Sequence, residues 1–539
     1  MVDPVAELAQ QVAEAASAMV EGAVEPPSLQ RPPKPELGDY SSNAAMLLTR
    51  SLGEQPRQIA QRLGEALTDR LGDDLDRAEV AGPGFLNLFM SSSWYARSIA
   101  AVIEAGEGYG RGFGGERVNV EFVSANPTGP ITVASARHAA YGDSLSRVLE
   151  MAGHEVDREY YVNDHGTQVE RFGASIAART RGEEPPEDGY QGGYVSDLGA
   201  RIEGAVKLDA PELARRGVGL MLVDIQATLE RFGVHMDSFA RESESHERGA
   251  VAAAIERLEE RGHVYRQDGA TWLRTTTFGD DKDRVLVRSN GELTYFAADI
   301  AYHEDKRERG YDRAIDVLGA DHHGYVARIT AVWEALGATP GALEAVIMQL
   351  VNLLESGVRA QMSKRAGTIV ALDDLLDDIG VDATRWFLLQ RSHDTTLDLD
   401  LELARRQSQD NPVYYAQYAH ARIASILRRA GQDRVARALA ADVAHSSEQL
   451  HPSARALVKR LAAFGAEVRE AAARRAPHRM TTYVTEVAQD FSAFYRDCKV
   501  VGAAEEGGDE DLRIALSEAT RRVIARSLDL LGVSAPHEM

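Results

Sequence analysis

The spacing of apolar residues changes character along the chain, and each change marks a different kind of element. Residues 1 to about 105 mix two periods. Ala6–Val24 and Gln55–Leu71 repeat apolar positions every three or four residues, as amphipathic helices do. A Pro-rich loop, Pro26–Pro35, lies between them, and Val80–Met90 is strand-like with glycine punctuation. Glu107–Gly115 reads as a Gly-rich linker. From Arg117 short apolar runs alternate with helical patterns. Strands are expected at Val118–Val123, Glu155–Tyr161, Arg284–Val287, Ala314–Leu318 and Ala345–Leu350, with helices such as Gln168–Ala178 and Arg328–Leu336 between them. This alternation predicts α/β architecture, a Rossmann-type parallel sheet with helices on both faces. Residues about 180–280, with segments such as Pro211–Phe232 and Glu247–Arg261, read as an insertion between its two halves. After Leu403 strand patterns vanish. Tyr414–Ala430, Pro452–Arg475, Met480–Arg496 and Leu512–Leu531 are helical, with an acidic loop at Gly502–Asp511. The expected domains are a small α/β unit (1–110), the doubly wound domain (111–405) and an all-α domain (406–539).

The bulk numbers narrow the picture. A chain of 539 residues suits three or four domains at roughly 150 residues each. No apolar run approaches the roughly 18 residues of a membrane span. Met1–Gln10 has acidic residues and no basic flank before an apolar core, so no secretory signal is expected. The single Cys498 excludes a disulfide framework and a thiolate zinc cluster. These features predict a cytoplasmic enzyme without protein-bound zinc, and nothing in them demands more than a monomer. The net charge of −23 argues against a polyanionic partner. Its distribution argues the other way, because residues 411–480 hold 12 Lys and Arg against 5 Asp and Glu. In that region Arg422, Arg428, Arg429, Arg474 and Arg475 read either as solvated helix faces or, beside Tyr414, Tyr415 and Tyr418, as planes for unstacked RNA bases.

Candidate chemistry gathers where strands end. Ser124-Ala-Asn-Pro-Thr-Gly-Pro130 interrupts a buried strand, and a helix begins near Val133. Such a turn aims free backbone N–H groups and a positive helix end above the sheet, where phosphate is the usual occupant. An ordinary βα turn is the plain alternative. Ala360-Gln-Met-Ser-Lys-Arg-Ala-Gly-Thr368 reads as a solvated loop or as one that brings Lys364 to the β- and γ-phosphates. Gly319-Ala-Asp-His-His-Gly-Tyr325 invites a metal reading. Adjacent histidines diverge and no third ligand of suitable spacing is evident, so a polar rim for substrate fits better. Asp299 could cap a helix. If it shares a sheet face with Glu121, the two carboxylates would attract a cation, and their fork suits a guanidinium.

Taken together, these segments resemble a class I aminoacyl-tRNA synthetase, specifically the arginyl-tRNA synthetase family. The likeness runs over nearly the whole chain, in family order. It includes Glu36-Leu-Gly-Asp-Tyr40, Gly82-Pro-Gly-Phe-Leu-Asn87, Tyr161-Val-Asn-Asp164, Phe278-Gly-Asp-Asp-Lys282, Tyr295-Phe-Ala-Ala-Asp299, Gly319–Gly324, Asn411-Pro-Val-Tyr-Tyr415 and Leu530-Leu-Gly-Val-Ser-Ala-Pro536. The resemblance implies that ATP and L-arginine form arginyl-adenylate and pyrophosphate, with Mg2+ accompanying ATP. The arginyl group then passes to tRNA(Arg), and the first step usually requires bound tRNA. It implies ATP contacts from Pro127, Thr128, Gly129, Thr132, Ser135, Met362, Ser363 and Lys364. Ser124 and Asn126 match positions that hold the amino acid's backbone end. Glu121, Tyr295 and Asp299 match positions lining its side-chain pocket, and His322 falls near a glutamine position. Phe85 and Asn87 match positions touching the tRNA's outer corner. The helical C-terminal domain would read the anticodon; individual anticodon positions do not carry over, and Tyr414, Tyr415 and Arg422 are candidate tRNA contacts from their own chemistry.

Two departures stand out. The loop motif begins with Gln361 where the family usually has lysine. More seriously, the His-x-Gly-His signature reads Thr132-Val-Ala-Ser135, so both histidines are missing. Thr and Ser still donate hydrogen bonds but carry no charge. The helix N-terminus, Lys364 and either His138 or Arg137 are the expected replacements. A catalytically silent paralogue that binds tRNA or protein is the alternative reading. Retention of Asn126, Tyr295, Asp299 and Lys364 opposes it. A second alternative, an adenylating enzyme with a small acceptor, is opposed by the terminal domains.

Overall fold

The computed structural model describes residues 3–359, 370–446 and 448–539. Helix Pro4–Ser17 starts the chain, capped by Asp3, whose carboxylate accepts from the Val5 and Ala6 amides. A four-stranded antiparallel sheet follows, ordered Leu29–Gln30, Tyr40–Ser42, Phe85–Met90, Leu75–Ala81, with helices Ala44–Leu52 and Pro56–Leu71 packed on it. The strand expected over Val80–Met90 is two strands. Gly82 and Gly84 take positive φ (52° and 141°) and fold it into a hairpin.

The central sheet holds five parallel strands: β1 (Arg117–Glu121), β2 (Glu155–Val162), β3 (Ser238–Arg241), β4 (Arg313–Gly319) and β5 (Leu343–Met348). Their spatial order is β5-β4-β1-β2-β3. β1 is therefore central, and the order reverses beside it, where such sheets bind ligands. Two sequence expectations need correction. Arg284–Val287 forms a strand outside this sheet; it pairs antiparallel with Ala270–Leu273, in a three-stranded sheet completed by Val264–Gln267. Asp268 and Gly269, both at positive φ, close the hairpin of Val264–Gln267 with Ala270–Leu273, and Arg284–Val287 adds to its free edge antiparallel, without a crossover. The expected insertion at 180–280 also contains β3, whose four residues, Ser-Phe-Ala-Arg, carry no apolar run to reveal them.

Helix α1 (Val133–Met151) follows β1 and is buried on nearly every side. Gly142 allows this. A Cβ there would fall 2.1 Å from the Phe122 ring. The far side of α1 is gripped by the C-terminal helices. Ser144 Oγ donates to the Leu530 carbonyl at 2.7 Å, and Asp143 pairs with the fully buried Arg385, which also donates to the Leu531 carbonyl at 2.8 Å. The C-terminal domain is helical as expected, except that Pro452–Arg475 is two helices, Pro452–Ala462 and Phe464–Ala473. Among the described residues no helix is long and apolar enough to cross a membrane.

Candidate active site

Above the carboxyl ends of β1 and β4 lies a cavity of about 1920 Å3, larger than the ~300–1,000 Å3 of a typical small-ligand pocket. It gathers Glu121, Ser124, Asn126, Thr128, Gly129, Thr132, Ser135, Asp299 and His322, nine residues singled out in the sequence. Tyr161, Gln168 and Tyr194 join them.

The turn after β1 is strained and heavily braced. Val123 and Ser124 are non-glycine residues at positive φ (69° and 38°), a conformation that costs about 1–3 kcal/mol per residue and collects at functional sites. Ser124 Oγ donates to Glu121 Oε1 at 2.9 Å and accepts from the Tyr161 amide at 3.1 Å. Tyr160 and Tyr194 hydroxyls donate to the Ala125 and Thr128 carbonyls at 2.6 and 2.8 Å. Asn126 Nδ2 donates to Gln168 Oε1 at 2.6 Å. Pro127 is buried within the turn.

Thr132 caps α1. Its Oγ1 accepts from the Ser135 amide at 3.4 Å, and the two hydroxyl oxygens stand 3.5 Å apart. Both line the cavity, so the two signature positions present paired hydroxyls at the positive end of a 19-residue helix. The chain resumes against the same point after the undescribed residues. Thr132 bridges Ala371, and the Val133 amide donates to the Val370 carbonyl at 3.3 Å. Gln361, Met362, Ser363 and Lys364 lie outside the described residues.

The structure overturns the charge expected from the neighbouring helix residues. Arg137 points away from the cavity. It donates to the Gln349, Ser392 and Thr395 carbonyls at 2.8, 2.9 and 3.0 Å and thereby pins α1 to the loops that follow β5. His138 lies near Gly319, and burial, reinforced by Arg137, pushes its pKa down to about 4. At neutral pH its ring carries no charge to offer a phosphate.

The cavity floor is a buried ionic network hung on helix α2 (Tyr295–Glu308). Lys306 Nζ donates to Glu121 Oε2 at 2.6 Å and Asp316 Oδ1 at 2.7 Å. The Tyr302 hydroxyl oxygen lies 2.8 Å from Glu121 Oε2 and 2.6 Å from Glu159 Oε1, its one proton shared between the two carboxylates, and Arg309 pairs with Glu159. Burial works against charge on His303, yet its 3.1 Å contact with Asp316 wins and raises its pKa. Asp316 is held below the usual carboxylate range, because Lys306 and His303 outweigh its burial. Asp299 differs. It faces the cavity, burial raises its pKa, and among the described residues it forms no ion pair. Lys306 and Arg309 are thus engaged with Glu121, Asp316 and Glu159, while the Tyr325 hydroxyl and the Arg328 charge work against the burial that raises Asp299.

Other expected contacts are distributed more widely. Tyr295 is 70% exposed at the start of α2, outside the cavity wall, with its ring beside Gly166. His322 lies on the rim, its Nδ1 4.0 Å from Asp321. Phe85 is 38% exposed, as a contact residue needs. Asn87 is not: only 5% exposed, it accepts from Ser41 Oγ at 2.7 Å within the sheet. The positive excess of residues 411–480 is partly neutralised, since Arg434, Arg437, Arg460, Arg469 and Arg475 all reach carboxylates. Arg422 lies over the Tyr495 ring at 4.6 Å, and Tyr414 stacks on Tyr418 at 6.2 Å. Tyr415 meets Ser492 at 3.4 Å. Sequence reading missed Tyr302, His303, Lys306 and Asp316. A signal existed: Asp299, Tyr302, His303 and Lys306 repeat at helical spacing and so share one face of the helix.

The β1-centred parallel sheet, the N-terminal domain and the helical C-terminal domain together have the class I aminoacyl-tRNA synthetase fold. Residues 6–90 match the arginyl tRNA synthetase N terminal domain, residues 105–187 and 203–425 the class I (R) tRNA synthetase catalytic domain, and residues 416–539 the DALR anticodon binding domain. The chain is 47% identical over 525 residues to the arginine–tRNA ligase of Frankia alni, covering 95% of this chain and 94% of that protein. A putative arginyl tRNA synthetase from Campylobacter jejuni superimposes with a TM-score of 0.77 at 34% identity, over 83% of this chain and all of that one. The Thermus thermophilus arginyl-tRNA synthetase shares the fold, with a TM-score of 0.78 at 24% identity over 99% of this chain and all of that one. The chain belongs to the arginyl-tRNA synthetase family.

Proposed function

We propose that the cavity carries out the arginine–tRNA ligase reaction. ATP and L-arginine react to arginyl-adenylate and pyrophosphate, and tRNA(Arg) then takes the arginyl group with release of AMP. The observation that carries the reading is Asp299, a half-buried carboxyl facing the cavity with no ion pair among the described residues. A guanidinium supplies the missing cation and can be held by a forked pair of hydrogen bonds. Glu121, fixed by Ser124, Tyr302 and Lys306, stands on the same floor. Ser124 and Asn126, on the strained turn, meet the amino acid's backbone end. His322 closes the rim, and Tyr295 reaches the guanidinium end from outside the wall.

In the first step an α-carboxylate oxygen of arginine attacks the α-phosphorus, and the bond to the pyrophosphate oxygen breaks. Thr132 and Ser135 hydroxyls, the Ala134 amide and the α1 dipole face the phosphates beside the Thr128–Gly129 turn. Lys364, with Met362 and Ser363, joins them by virtue of the sequence motif, and Val370 anchors the segment's end at the same corner. In the second step a terminal ribose hydroxyl of the tRNA attacks the adenylate carbonyl. Phe85 and the Tyr414–Arg422 face are the proposed tRNA contacts. Mg2+ would accompany ATP, and the exposed rim carboxylates Glu187 and Asp321, hard oxygen donors of the right chemistry, would help to hold it. The reading includes a monomeric cytoplasmic enzyme, for which the free, buried Cys498 suits a reducing compartment. Pyrophosphate exchange into ATP tests it. Arginine-dependent exchange that appears on adding tRNA(Arg) is the expected result. Absence of exchange with arginine, ATP, Mg2+ and tRNA all present would favour the silent paralogue.

A further inference from the structure

Beside the cavity, two imidazoles and a carboxylate converge from segments distant in sequence. Glu242 and His246 stand one turn apart on helix Glu242–Glu247 and project from one face. His165 comes from the loop after β2. One ligand atom from each lies within 4.8 Å of the other two. His246 Nε2 is 3.7 Å from Glu242 Oε1, and the His165 and His246 rings stack with centroids 4.8 Å apart.

The surroundings hold these side chains in place. Asp164, next to His165, accepts from the amide and hydroxyl of Ser243, next to Glu242, at 2.9 and 2.8 Å. That contact joins the loop after β2 to the start of the helix. With its NH2 turned towards acceptors, the Asn163 amide donates to Glu242 Oε2 at 3.2 Å and to the His165 carbonyl at 3.1 Å. Hydrogen bonds of this kind orient ligating carboxylates in metal sites.

We propose that His165, Glu242 and His246 form a binding site for a divalent transition metal of the zinc type. Bonds of about 2.0–2.2 Å place tetrahedral donors about 3.4 Å apart. Glu242 and His246 are within a few tenths of an ångström of that. His165 is exposed and closes the remainder by rotating its side chain. Two imidazoles with one carboxylate suit zinc, cobalt or nickel, whereas Mg2+ and Ca2+ take oxygen ligands, so this ion is distinct from the one that accompanies ATP. Three protein ligands leave a fourth position for water. The ion ties the loop after β2 to the segment following β3, at the edge of the cavity that Tyr161 and Asn163 line. The expectation of no protein-bound zinc rested on the lone cysteine and the His322–His323 pair, and did not weigh these three residues.

The test uses the full chain, stripped with a chelator and titrated with Co2+ or Zn2+ alone at neutral pH. One equivalent of Co2+ should bind with the visible absorption of a tetrahedral complex, and Zn2+ should displace it. His165→Gln and His246→Gln should each weaken Zn2+ binding by more than about tenfold, while His323→Gln leaves it unchanged. X-ray absorption of the wild-type zinc complex should show two imidazoles. Undiminished binding in the His165→Gln/His246→Gln double variant, or an ion shell without imidazole, overturns the assignment. Neither readout depends on aminoacylation, so its failure is separable from failure of the ligase reading.

Discussion

The Lys306 ammonium sits 2.6 Å from Glu121 Oε2, and no part of the Lys306 side chain is exposed. Removing one member of a buried, hydrogen-bonded ion pair leaves an uncompensated charge and costs about 3–5 kcal/mol. Lys306 also serves Asp316 at 2.7 Å. Lys306→Met should therefore lower unfolding stability by about that amount in urea titrations. A loss below about 1 kcal/mol, typical of an exposed pair, would contradict the floor described above.

Asp299→Asn keeps the shape of its side chain and removes its charge. Charge-assisted hydrogen bonds contribute about 1.5–3 kcal/mol. The KM for arginine should rise about 10- to 100-fold by that measure, with the KM for ATP unchanged. Equal effects on both substrates would place Asp299 elsewhere in the mechanism.

The same residue gives a pH dependence with a definite sign. Burial raises the Asp299 pKa from its ordinary value in the free protein. A guanidinium favours the ionised form, so arginine binding releases the proton. The KM for arginine should therefore climb as pH falls through that raised value and flatten above it. The Asp299→Asn variant should lose this dependence. A KM–pH curve shared by wild type and variant would rule Asp299 out as its source.

Thr132 has two tasks, and substitution can separate them. Thr132→Ala removes the α1 cap, at a cost of about 1 kcal/mol, and one phosphate-facing donor. Ser135→Ala removes a donor and leaves the cap in place. Both should lower kcat for exchange, by about a hundredfold if the hydroxyls act on developing charge. Only Thr132→Ala should also lower stability, and Thr132→Ser should restore both. His138→Gln should leave kcat unchanged, because its ring is neutral near pH 7. A kcat loss confined to His138→Gln would reverse this assignment.

Local pattern made much of this legible. The alternation from Arg117 foretold the parallel sheet, and the Pro/Gly turn after β1 marked the cavity. What escaped was decided by tertiary pairing. β3 is four residues long, and Arg284–Val287 found a hairpin neighbour rather than the central sheet. Asn87 matched a contact position by sequence, but Ser41 holds it inside the sheet. Arg137 and His138 have charged side chains in sequence. Three carbonyls engage the first, and desolvation neutralises the second. Lys306 sits in the charged run Glu304-Asp305-Lys306-Arg307-Glu308, which reads as a solvated helix end until the buried carboxylates it meets are seen.

The central claim is that a site with Thr132 and Ser135 in place of two histidines still charges tRNA with arginine. The most direct measurement is transfer of labelled arginine to tRNA(Arg) by the full chain with ATP and Mg2+. Base-labile arginyl-tRNA that depends on ATP is expected, with a steep fall in the Thr132→Ala/Ser135→Ala double variant. No arginyl-tRNA from folded protein that binds arginine, or equal yields from wild type and double variant, would contradict it.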